Sequence, residues 1–399
     1  MDVLIVGAGI AGATLAYWLR RAGHRPTLVE QSPTLREGGY LIDFWGAGFE
    51  VADRMGIVEE VMRRGIRFER ADQVDASGHR FASLDPAAFV RRSGDRYVTI
   101  ARGDLASIIY DALAAPLPGE PAELLLGEEV RALRDTGDRV RVELTRSGPR
   151  DFDLVVGADG LHSSVRRLAF GPEEEVAVHL GLAVAAFDIE RSPGSSPAAD
   201  PVTTMYAEVG LQVARVQRPD GVTMVLFSFR HDGPLPTGRA AQEKFLVERS
   251  AAAGWEVPEL LAALPTARTL YLDRMSQIKM PCWSTGRVVL VGDAAASVSP
   301  LAGQGSALAM VESYVLAAEL DRCGADHGAG FRAYQDLLQP LLRGKQKAAP
   351  GLALVFAPRN RLQLLARNLL VRVVGLPIVR DRAFGSLQDA IVLPAPAGG

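Results

Sequence analysis

Residues 2–30 have the sequence DVLIVGAGIAGATLAYWLRRAGHRPTLVE, and this stretch decides the fold of the chain. Its apolar run 3–6 predicts a short strand that is buried on both faces. The spacing of apolar residues in 13–19 is helical, and Gly23 then ends the helix. Residues 27–29 predict a second strand. The stretch therefore predicts a βαβ unit, the start of an α/β fold with a Rossmann-like parallel sheet.

The three glycines between the first strand and the helix have the spacing G-x-G-x-x-G. Gly7 permits the tight turn, Gly9 lets a pyrophosphate approach the backbone, and Gly12 lets helix and strand pack closely. The helix N-terminus adds free N–H groups and a positive dipole end. Glu30 ends the second strand, where a carboxylate accepts hydrogen bonds from ribose hydroxyls, so FAD or NAD fits better than NADP. The predicted cofactor contacts of this unit are Gly7, Gly9, Ala11, Gly12, Glu30 and Gln31.

Composition excludes several classes of protein. The 399 residues are 48% hydrophobic and 23% charged, which is ordinary for a soluble globular protein of two or three domains. Lys and Arg number 44 against 47 for Asp and Glu, so we expect no nucleic-acid partner. Two cysteines and six scattered histidines predict neither a disulfide framework nor a metal site. The N-terminus enters a strand directly, so no signal peptide is expected, and we expect a cytoplasmic protein.

Two further buried strands, 154–156 and 288–291, lie far along the chain from the first unit. Between them, residues 172–231 alternate in the way of longer, half-buried strands. Residues 66–85 predict a hairpin with its turn at 75–78. We therefore predict a discontinuous Rossmann-like cofactor domain (1–70, 96–171 and 272–330), an inserted β-sheet substrate domain (71–95 and 172–271) and a C-terminal helical region (331–399).

The C-terminal region is mostly helical in pattern, with predicted breaks at Pro340, Pro350, Pro358 and Pro377. Residues 351–399 are apolar and basic, with six arginines against two aspartates. A basic amphipathic segment can lie on a membrane. The alternative is a helix pair that packs on the substrate domain with its arginine face in solvent. The second interpretation is favoured, so we expect no membrane contact.

Two more glycine-rich turns follow the later strands. Gly157-Ala158-Asp159-Gly160 follows the first of them, and Asp159 is either a cofactor or reductant contact or a plain turn residue. Gly292-Asp293-Ala294-Ala295 follows the second, and Asp293 can bind a ribityl hydroxyl. The backbone at 303–306 can direct N–H groups and a helix dipole at an acceptor that becomes anionic. Such charge develops at one edge of a reduced flavin.

These motifs, in this order, resemble those of the class A flavoprotein monooxygenases, the para-hydroxybenzoate hydroxylase-like family. The match is best with its tetracycline-inactivating and antibiotic-tailoring branch and covers residues 1 to about 330. The resemblance implies non-covalent FAD, an inserted sheet over the flavin ring, C-terminal helices and NAD(P)H as a transient reductant. It also implies a flavin C4a-hydroperoxide that hydroxylates or epoxidises an aromatic or polyketide-like small molecule.

The resemblance implies that the flavin, and not a protein nucleophile, carries the chemistry. It also implies further contacts to the cofactor. Pro300 and the Gly303 backbone are expected near the flavin. This chain has Ala296, Ala307 and Glu312 where the family often has His, Asn and Asp. These departures leave two alternatives open: a cyclase that uses FAD without NAD(P)H, and a substrate dehydrogenase or oxidase. The cofactor contacts implied are Gly39, Arg102, Leu105, Val130, Asp159, Gly292, Asp293, Pro300, Gly303, Gln304, Gly305 and Ser306.

Substrate contacts are predicted from two apolar segments. The first follows Gly38-Gly39, and its aromatic residues either wall the site or pack in the core. The second is the strand around residues 224–229, whose alternating apolar side chains either line a pocket or form core. An apolar pocket with few polar groups would suit a large natural product bound by a monomer or weak dimer. The substrate candidates are Phe44, Trp45, Arg215, Met224 and Phe227.

Overall fold

The computed structural model describes residues 1–35, 40–85, 96–190, 201–299, 303–374 and 391–396. The strands among these residues are β1 (Asp2–Val6), β2 (Arg25–Glu30), β3 (Leu41–Trp45), β4 (Arg70–Val74), β5 (Arg80–Leu84), β6 (Tyr97–Ala101), β7 (Glu123–Leu126), β8 (Val130–Asp135), β9 (Val140–Leu144), β10 (Gly148–Phe152), β11 (Leu154–Gly157), β12 (Ala177–Glu190), β13 (Val202–Glu208), β14 (Leu211–Gln217), β15 (Val222–Arg230), β16 (Leu270–Ile278), β17 (Ser284–Thr285) and β18 (Val288–Leu290).

The α-helices of the described residues are α1 (Ile10–Arg21), α2 (Ala47–Arg54), α3 (Val58–Arg64), α4 (Arg102–Ala114), α5 (Ser164–Ala169), α6 (Arg239–Ser250), α7 (Val257–Ala263), α8 (Asp293–Ala296), α9 (Gly305–Cys323), α10 (His327–Phe356) and α11 (Arg361–Val374). Short 3-10 turns lie at Glu173–Glu175 and Leu264–Thr266.

A six-stranded sheet with the order β17-β18-β11-β1-β2-β7 holds the cofactor motifs. It is parallel except for its edge strand β17. Strand β1 lies inside the sheet and its apolar residues are fully buried, which explains the uninterrupted apolar run at 3–6. The carboxyl ends of β1, β11 and β18 lie side by side, with Val6 opposite Gly157 and Gly157 opposite Leu290. The three glycine-rich turns therefore meet at one edge of this sheet, and the predicted Rossmann-like fold is confirmed.

A seven-stranded sheet with the order β16-β12-β15-β14-β13-β4-β5 forms the second layer system. Its strand pairs are antiparallel except for β13 and β4, which are parallel. The predicted hairpin at 66–85 is formed by β4 and β5, and through β4 it joins strands from far along the chain. Because successive side chains of a strand point to opposite faces, the sheet has two distinct sides. The outer face carries Val225, Phe227 and Phe229 and packs on helices α6 and α7. The inner face carries Met224 and Leu226 and meets the end of α10.

The long helix α10 corrects one prediction and agrees with another. It runs unbroken through Pro340 and Pro350, so the breaks predicted there are wrong. Both prolines are exposed, while residues between them on the other side of the helix, among them Leu342 and Gln346, are buried. Burial of that side stabilises the helix enough to offset the lost backbone hydrogen bonds. The break at Pro358 is present between α10 and α11, and Pro377 lies outside the described residues.

Helix α11 agrees only in part with the predicted solvated arginine face. Arg361 and Arg372 are exposed as predicted, but Arg367 is buried and several leucines of the helix are exposed. Its apolar and polar residues therefore do not sort in the usual way for a helix on a globular core. Within the described parts of the chain, none of the helices combines the length and apolar character that crossing a membrane requires.

Candidate functional site

The first glycine-rich turn is built so tightly that two of its glycines admit no side chain. A Cβ on Gly7 would lie 2.5 Å from the carbonyl oxygen of Ala158, and the φ of Gly7 is +102°. A Cβ on Gly12 would lie 2.0 Å from the carbonyl oxygen of Gly7. On Gly9, by contrast, a Cβ would meet nothing within 4 Å. The turn is thus closed on the protein side and open at the N-terminus of α1, where a phosphate binds in this type of unit.

The carboxylate of Glu30 lies directly beside this turn. It accepts hydrogen bonds from the backbone N–H of Ala8 at 3.1 Å and of Ser32 at 2.9 Å. The Tyr110 hydroxyl donates to the Ala8 carbonyl at 2.9 Å, and burial together with the Glu30 charge raises the Tyr110 pKa. Gln31 is exposed next to Glu30. A half-buried carboxylate with unused lone pairs at this position suits a pair of ribose hydroxyls.

The turn after β18 places a second acid on the same edge of the sheet. Gly292 has a φ of +66° and donates its N–H to the buried carboxyl group of Glu312 at 2.8 Å. Burial raises the Glu312 pKa to about 8. Asp293 is exposed, and its carboxylate makes no hydrogen bond to another described residue. Glu312 therefore holds the turn, while Asp293 is free to accept hydrogen bonds from a bound molecule.

The entry to α9 forms the third open backbone segment. Gly303 is exposed with a φ of +64°, and a Cβ on it would approach an Asp43 carboxylate oxygen at 3.9 Å. A Cβ on Gly305 would meet nothing within 4 Å. Gln304 is buried and accepts a hydrogen bond from Lys345, and Ser306 is partly exposed. Open space therefore lies beside the first turn of α9, where helical N–H groups lack intrahelical partners. Pro300 and Gly39 lie outside the described residues.

Arg102, the first residue of α4, lies in a cluster with two tyrosines, Tyr40 and Tyr271. Its guanidinium lies 5.9 Å from the ring centre of Tyr40, which lies 5.5 Å from the ring centre of Tyr271. Burial raises the Tyr271 pKa, and the charges of Asp273 and Asp293 raise it further, whereas Arg102 lowers it. Arg102 and Asp293 thus act on one hydroxyl. This tyrosine cluster connects the cofactor motifs to the seven-stranded sheet.

Three other predicted cofactor residues make contacts that support the fold. Leu105 on α4 and Val130 at the start of β8 are buried in the main core. The Asp159 carboxylate accepts hydrogen bonds from the backbone N–H groups of Ser164 and Val165, and from the Ser163 and Ser164 hydroxyls. Asp159 therefore caps α5, as the turn alternative predicted.

These features test whether FAD fits the residues present. Open space lies over Gly9 and Gly305, and two carboxylates, those of Glu30 and Asp293, can accept hydrogen bonds along one edge of the sheet. A pyrophosphate needs the first kind of group, and ribose and ribityl hydroxyls need the second. The donor and acceptor set therefore fits an extended dinucleotide such as FAD.

Comparison with known proteins agrees with this fit. A family model described as FAD binding domain matches residues 1–232 and 261–329. The chain belongs to this FAD-binding family. A flavin-dependent monooxygenase of Legionella longbeachae is 32% identical over 87% of this chain and 87% of its own length. An uncharacterised protein of Mycobacterium tuberculosis is 37% identical, with 83% and 88% covered.

Comparison with solved structures agrees with the similarity to flavin-dependent monooxygenases. The crystal structure of tetracycline destructase Tet(51) has a TM-score of 0.82 and 28% identity, and the match covers 99% of both chains. The resemblance to class A flavin monooxygenases is thus confirmed, and FAD is the cofactor.

The structure separates the predicted substrate residues of the monooxygenase. Phe227 is fully buried on the outer sheet face and stacks on Phe187 at 6.0 Å, so its predicted pocket role is wrong. Arg215, also predicted to contact the substrate, faces the same side as Phe227 and points away from the inner face of the sheet. There it pairs with Glu256 and lines a separate cleft of about 610 Å³. Neighbouring residues of a strand face opposite ways, which explains why both residues lie on the face away from Met224.

Met224, in contrast, points to the inner face. Its sulfur accepts a hydrogen bond from the Leu41 N–H at 3.0 Å, next to Tyr40. Phe44 is fully buried and packs on Phe49, whereas Trp45 is only partly buried. Phe44 is therefore core, the alternative that its aromatic character left open.

Sequence reasoning missed the residues that join the two sheets. Tyr40 and Tyr271 form the aromatic contact described above, and His162 lies between Asp273 and Glu173 at 3.1 and 2.9 Å. The hydrogen bond to Asp273 is the main reason why the His162 pKa is raised to about 9. Tyr40 directly follows Gly38-Gly39, and His162 lies two residues after Gly160, so the recognised glycine motifs were an available signal. Tyr271 carried none, because only the pairing of β16 brings it here.

Proposed function

We propose that this monooxygenase uses NAD(P)H and O2 to hydroxylate or epoxidise an aromatic or polyketide-like small molecule. The observation that carries the proposal is the tyrosine cluster, in which the inner face of the substrate sheet meets Arg102 and Asp293. An apolar surface next to the cofactor motifs is what an uncharged polycyclic substrate requires. The division into a cofactor domain, a substrate domain and C-terminal helices belongs to this proposal.

The chain itself binds and orients the cofactor. The backbone around Gly9 receives the pyrophosphate, Glu30 the adenosine ribose, and Asp293 the ribityl chain. The N–H groups at Gly303 to Ser306 and the dipole of α9 stabilise negative charge nearby. FAD bound by these residues would supply the hydride-accepting and dioxygen-activating chemistry.

The inner face supplies the apolar surroundings for the substrate. Leu226 and Tyr271 pack with Phe356 and Ala357 from the end of α10, so this part of the sheet is covered from above. Met224 lies on the same face, next to Leu226 along β15, because Val225 between them points to the other face. Such a covered surface excludes water from the substrate, which limits side reactions of reactive intermediates with water.

The substrate class rests on the comparisons. Tetracycline destructase Tet(51), which is similar over 99% of both chains, is named for a polycyclic antibiotic. A compound with fused, electron-rich rings presents a flat apolar face and a few polar groups at its rim. That shape suits a surface built from Met224, Leu226 and Tyr271.

Anaerobic reduction of the FAD-loaded protein tests the proposal. The protein is mixed with NADPH and then with NADH, with and without a panel of polycyclic phenols, while flavin absorbance is recorded. Bleaching that one compound accelerates supports the proposal and identifies a substrate class. If neither nucleotide bleaches the bound flavin, the proposal fails. Peroxide formed from a compound without nicotinamide then indicates an oxidase, and a rearranged product without oxygen uptake indicates a cyclase.

A further inference from the structure

Helix α11 presents a row of leucines to solvent. Leu362 is 76% exposed, Leu365 67%, Leu369 62% and Leu370 51%. With 100° between successive helical residues, these four lie within one side of the helix, and Val373 extends the row. Single exposed leucines are ordinary on a protein surface, but a contiguous apolar row of this length marks an interaction site.

The opposite side of α11 is fastened to the substrate sheet by polar contacts. Arg367 is buried and donates hydrogen bonds to the side-chain oxygens of Gln73 at 2.8 Å and Gln212 at 3.0 Å. It also donates to the Val355 carbonyl at 3.0 Å, and Val371 is buried beside it. These bonds fix the rotation of the helix about its axis. The leucine row is therefore held outward by specific contacts on the inner face of the sheet.

The surroundings of the leucine row are basic. Residues 355–374 contain arginines but no Asp or Glu. Arg359 and Arg361 are exposed and form no ion pair with any carboxylate of the described residues. Arg372 is exposed as well, with its guanidinium 5.3 Å from the ring centre of Phe81. On the helix, Arg361 and Arg372 both lie along one edge of the leucine row, so the apolar surface has a positively charged border.

We propose that this leucine row binds the surface of a membrane that contains anionic lipids. The leucines would enter the boundary between headgroups and acyl chains, and the arginine border would contact lipid phosphates. The helix has 14 residues, fewer than the roughly 20 that a membrane span needs, so it lies in the surface plane. The proposal is independent of the reductant and of the substrate.

Charge argues for lipid over a second copy of the chain. A symmetric dimer through this row with antiparallel helices would bring each arginine border near the same border of its partner. Like charges at that distance oppose association, whereas an anionic bilayer attracts every one of them. The basic border thus fits an acidic surface and not itself.

Co-sedimentation with vesicles tests the proposal on the full-length, FAD-loaded protein. One set of vesicles is pure phosphatidylcholine, and the other contains phosphatidylglycerol as well. We expect the wild type to pellet with the anionic vesicles, and added salt to weaken binding. The affinity of the triple variant Leu362→Gln/Leu365→Gln/Leu369→Gln for these vesicles should fall by about tenfold or more. The variant Arg361→Glu/Arg372→Glu should lose the preference for anionic vesicles.

Matched controls separate this result from a folding defect. Val392→Gln changes a residue that is 89% exposed outside α11 and should bind vesicles like the wild type. Retained FAD and an unchanged melting temperature show that each variant is folded. The proposal is overturned if the wild type pellets with neither vesicle, or if the triple variant pellets equally well. It is also overturned if sedimentation without lipid shows a dimer that the triple variant loses.

Discussion

The glycine-rich cofactor edge and the inner face of the substrate sheet meet at the tyrosine cluster, but they are specified in different ways. At the cofactor edge, glycine-rich turns set the geometry through backbone contacts: Gly12 is closed by the Gly7 carbonyl of the same turn, and Gly7 by the Ala158 carbonyl of the next turn. On the inner face, strand parity and a helix more than a hundred residues away decide which side chains meet. Local sequence therefore encodes the first region, and long-range pairing encodes the second.

The largest expected effect comes from adding a methyl group at the cofactor edge. In Gly12→Ala the new Cβ would lie 2.0 Å from the Gly7 carbonyl oxygen, so the turn must move. We expect a loss of about 3 kcal/mol or more in the free energy of unfolding of the apoprotein. Gly9→Ala places its Cβ in open space, so the apoprotein should unfold like the wild type.

Denaturant unfolding and the FAD content of the purified proteins check this pair. Because the Gly9→Ala methyl occupies the space over the helix N-terminus, FAD affinity should fall about tenfold while stability persists. Equal stability of the two apoproteins would show that the turn is not as closed as the structure has it.

The second effect concerns the buried carboxyl group behind Asp293. The Glu312 pKa is raised from 4.5 to about 8, so between these values the folded state holds a proton that the unfolded state has lost. The free energy of unfolding should therefore fall by about 1.4 kcal/mol per pH unit as pH rises through this window, and level off above it. Glu312→Gln should remove this contribution and leave only the shallower slope that His162 produces between about pH 6.5 and 9.

Urea unfolding at pH 6 and pH 8 measures the difference. Glu60→Gln is the control, because hydrogen bonds to Arg63 and Arg64 lower the Glu60 pKa to about 2, outside the window. A slope in Glu312→Gln as steep as that of the wild type would assign it to another group.

A third, smaller effect compares the two faces of the substrate sheet. Met224→Ala removes apolar contact on the inner face, worth about 1 kcal/mol, and should raise the half-saturating concentration of an accelerating phenol about fivefold. Arg215→Gln on the outer face should leave that concentration within about twofold of the wild type. Stopped-flow flavin reduction measures both variants. The opposite ranking would place the substrate in the outer cleft.

The smallest effect lies where the two regions touch. His162 follows the second glycine turn and hydrogen-bonds Asp273 on β16, so its pKa is raised to about 9. This contact stabilises the fold fully below about pH 6.5, and the contribution is lost as pH rises towards 9. In Asp273→Asn the His162 pKa should move down, as followed by NMR titration. Asp188→Asn, on the neighbouring strand, should leave it unchanged.

The sequence predicted what periodicity and glycine geometry determine. The βαβ unit, the strands near 154–156 and 288–291 and the helix from 306 are all present, because each rests on a local pattern. The order of the motifs then sufficed to predict the family. Here a contiguous stretch of chain and the backbone it dictates carried the information.

The substrate side resisted prediction for a physical reason. Residues 224–227 are all apolar, so both faces of β15 look like core, and nothing local says which one meets the cofactor edge. Likewise, Arg367 is buried only because Gln73 and Gln212 supply oxygens from distant strands. Composition suggested a solvated arginine there, and the tertiary contacts decided otherwise.

The proline at position 350 has a consequence for how α10 attaches to the sheet. Proline has no N–H, so the Gln346 carbonyl loses its usual donor four residues on. That carbonyl accepts the Gln277 side-chain amide from β16 at 2.8 Å instead. Gln346 in turn donates to the Ile278 carbonyl at 2.7 Å. Proline usually interrupts a helix. Here it leaves free a carbonyl that fixes the position and rotation of α10 against β16.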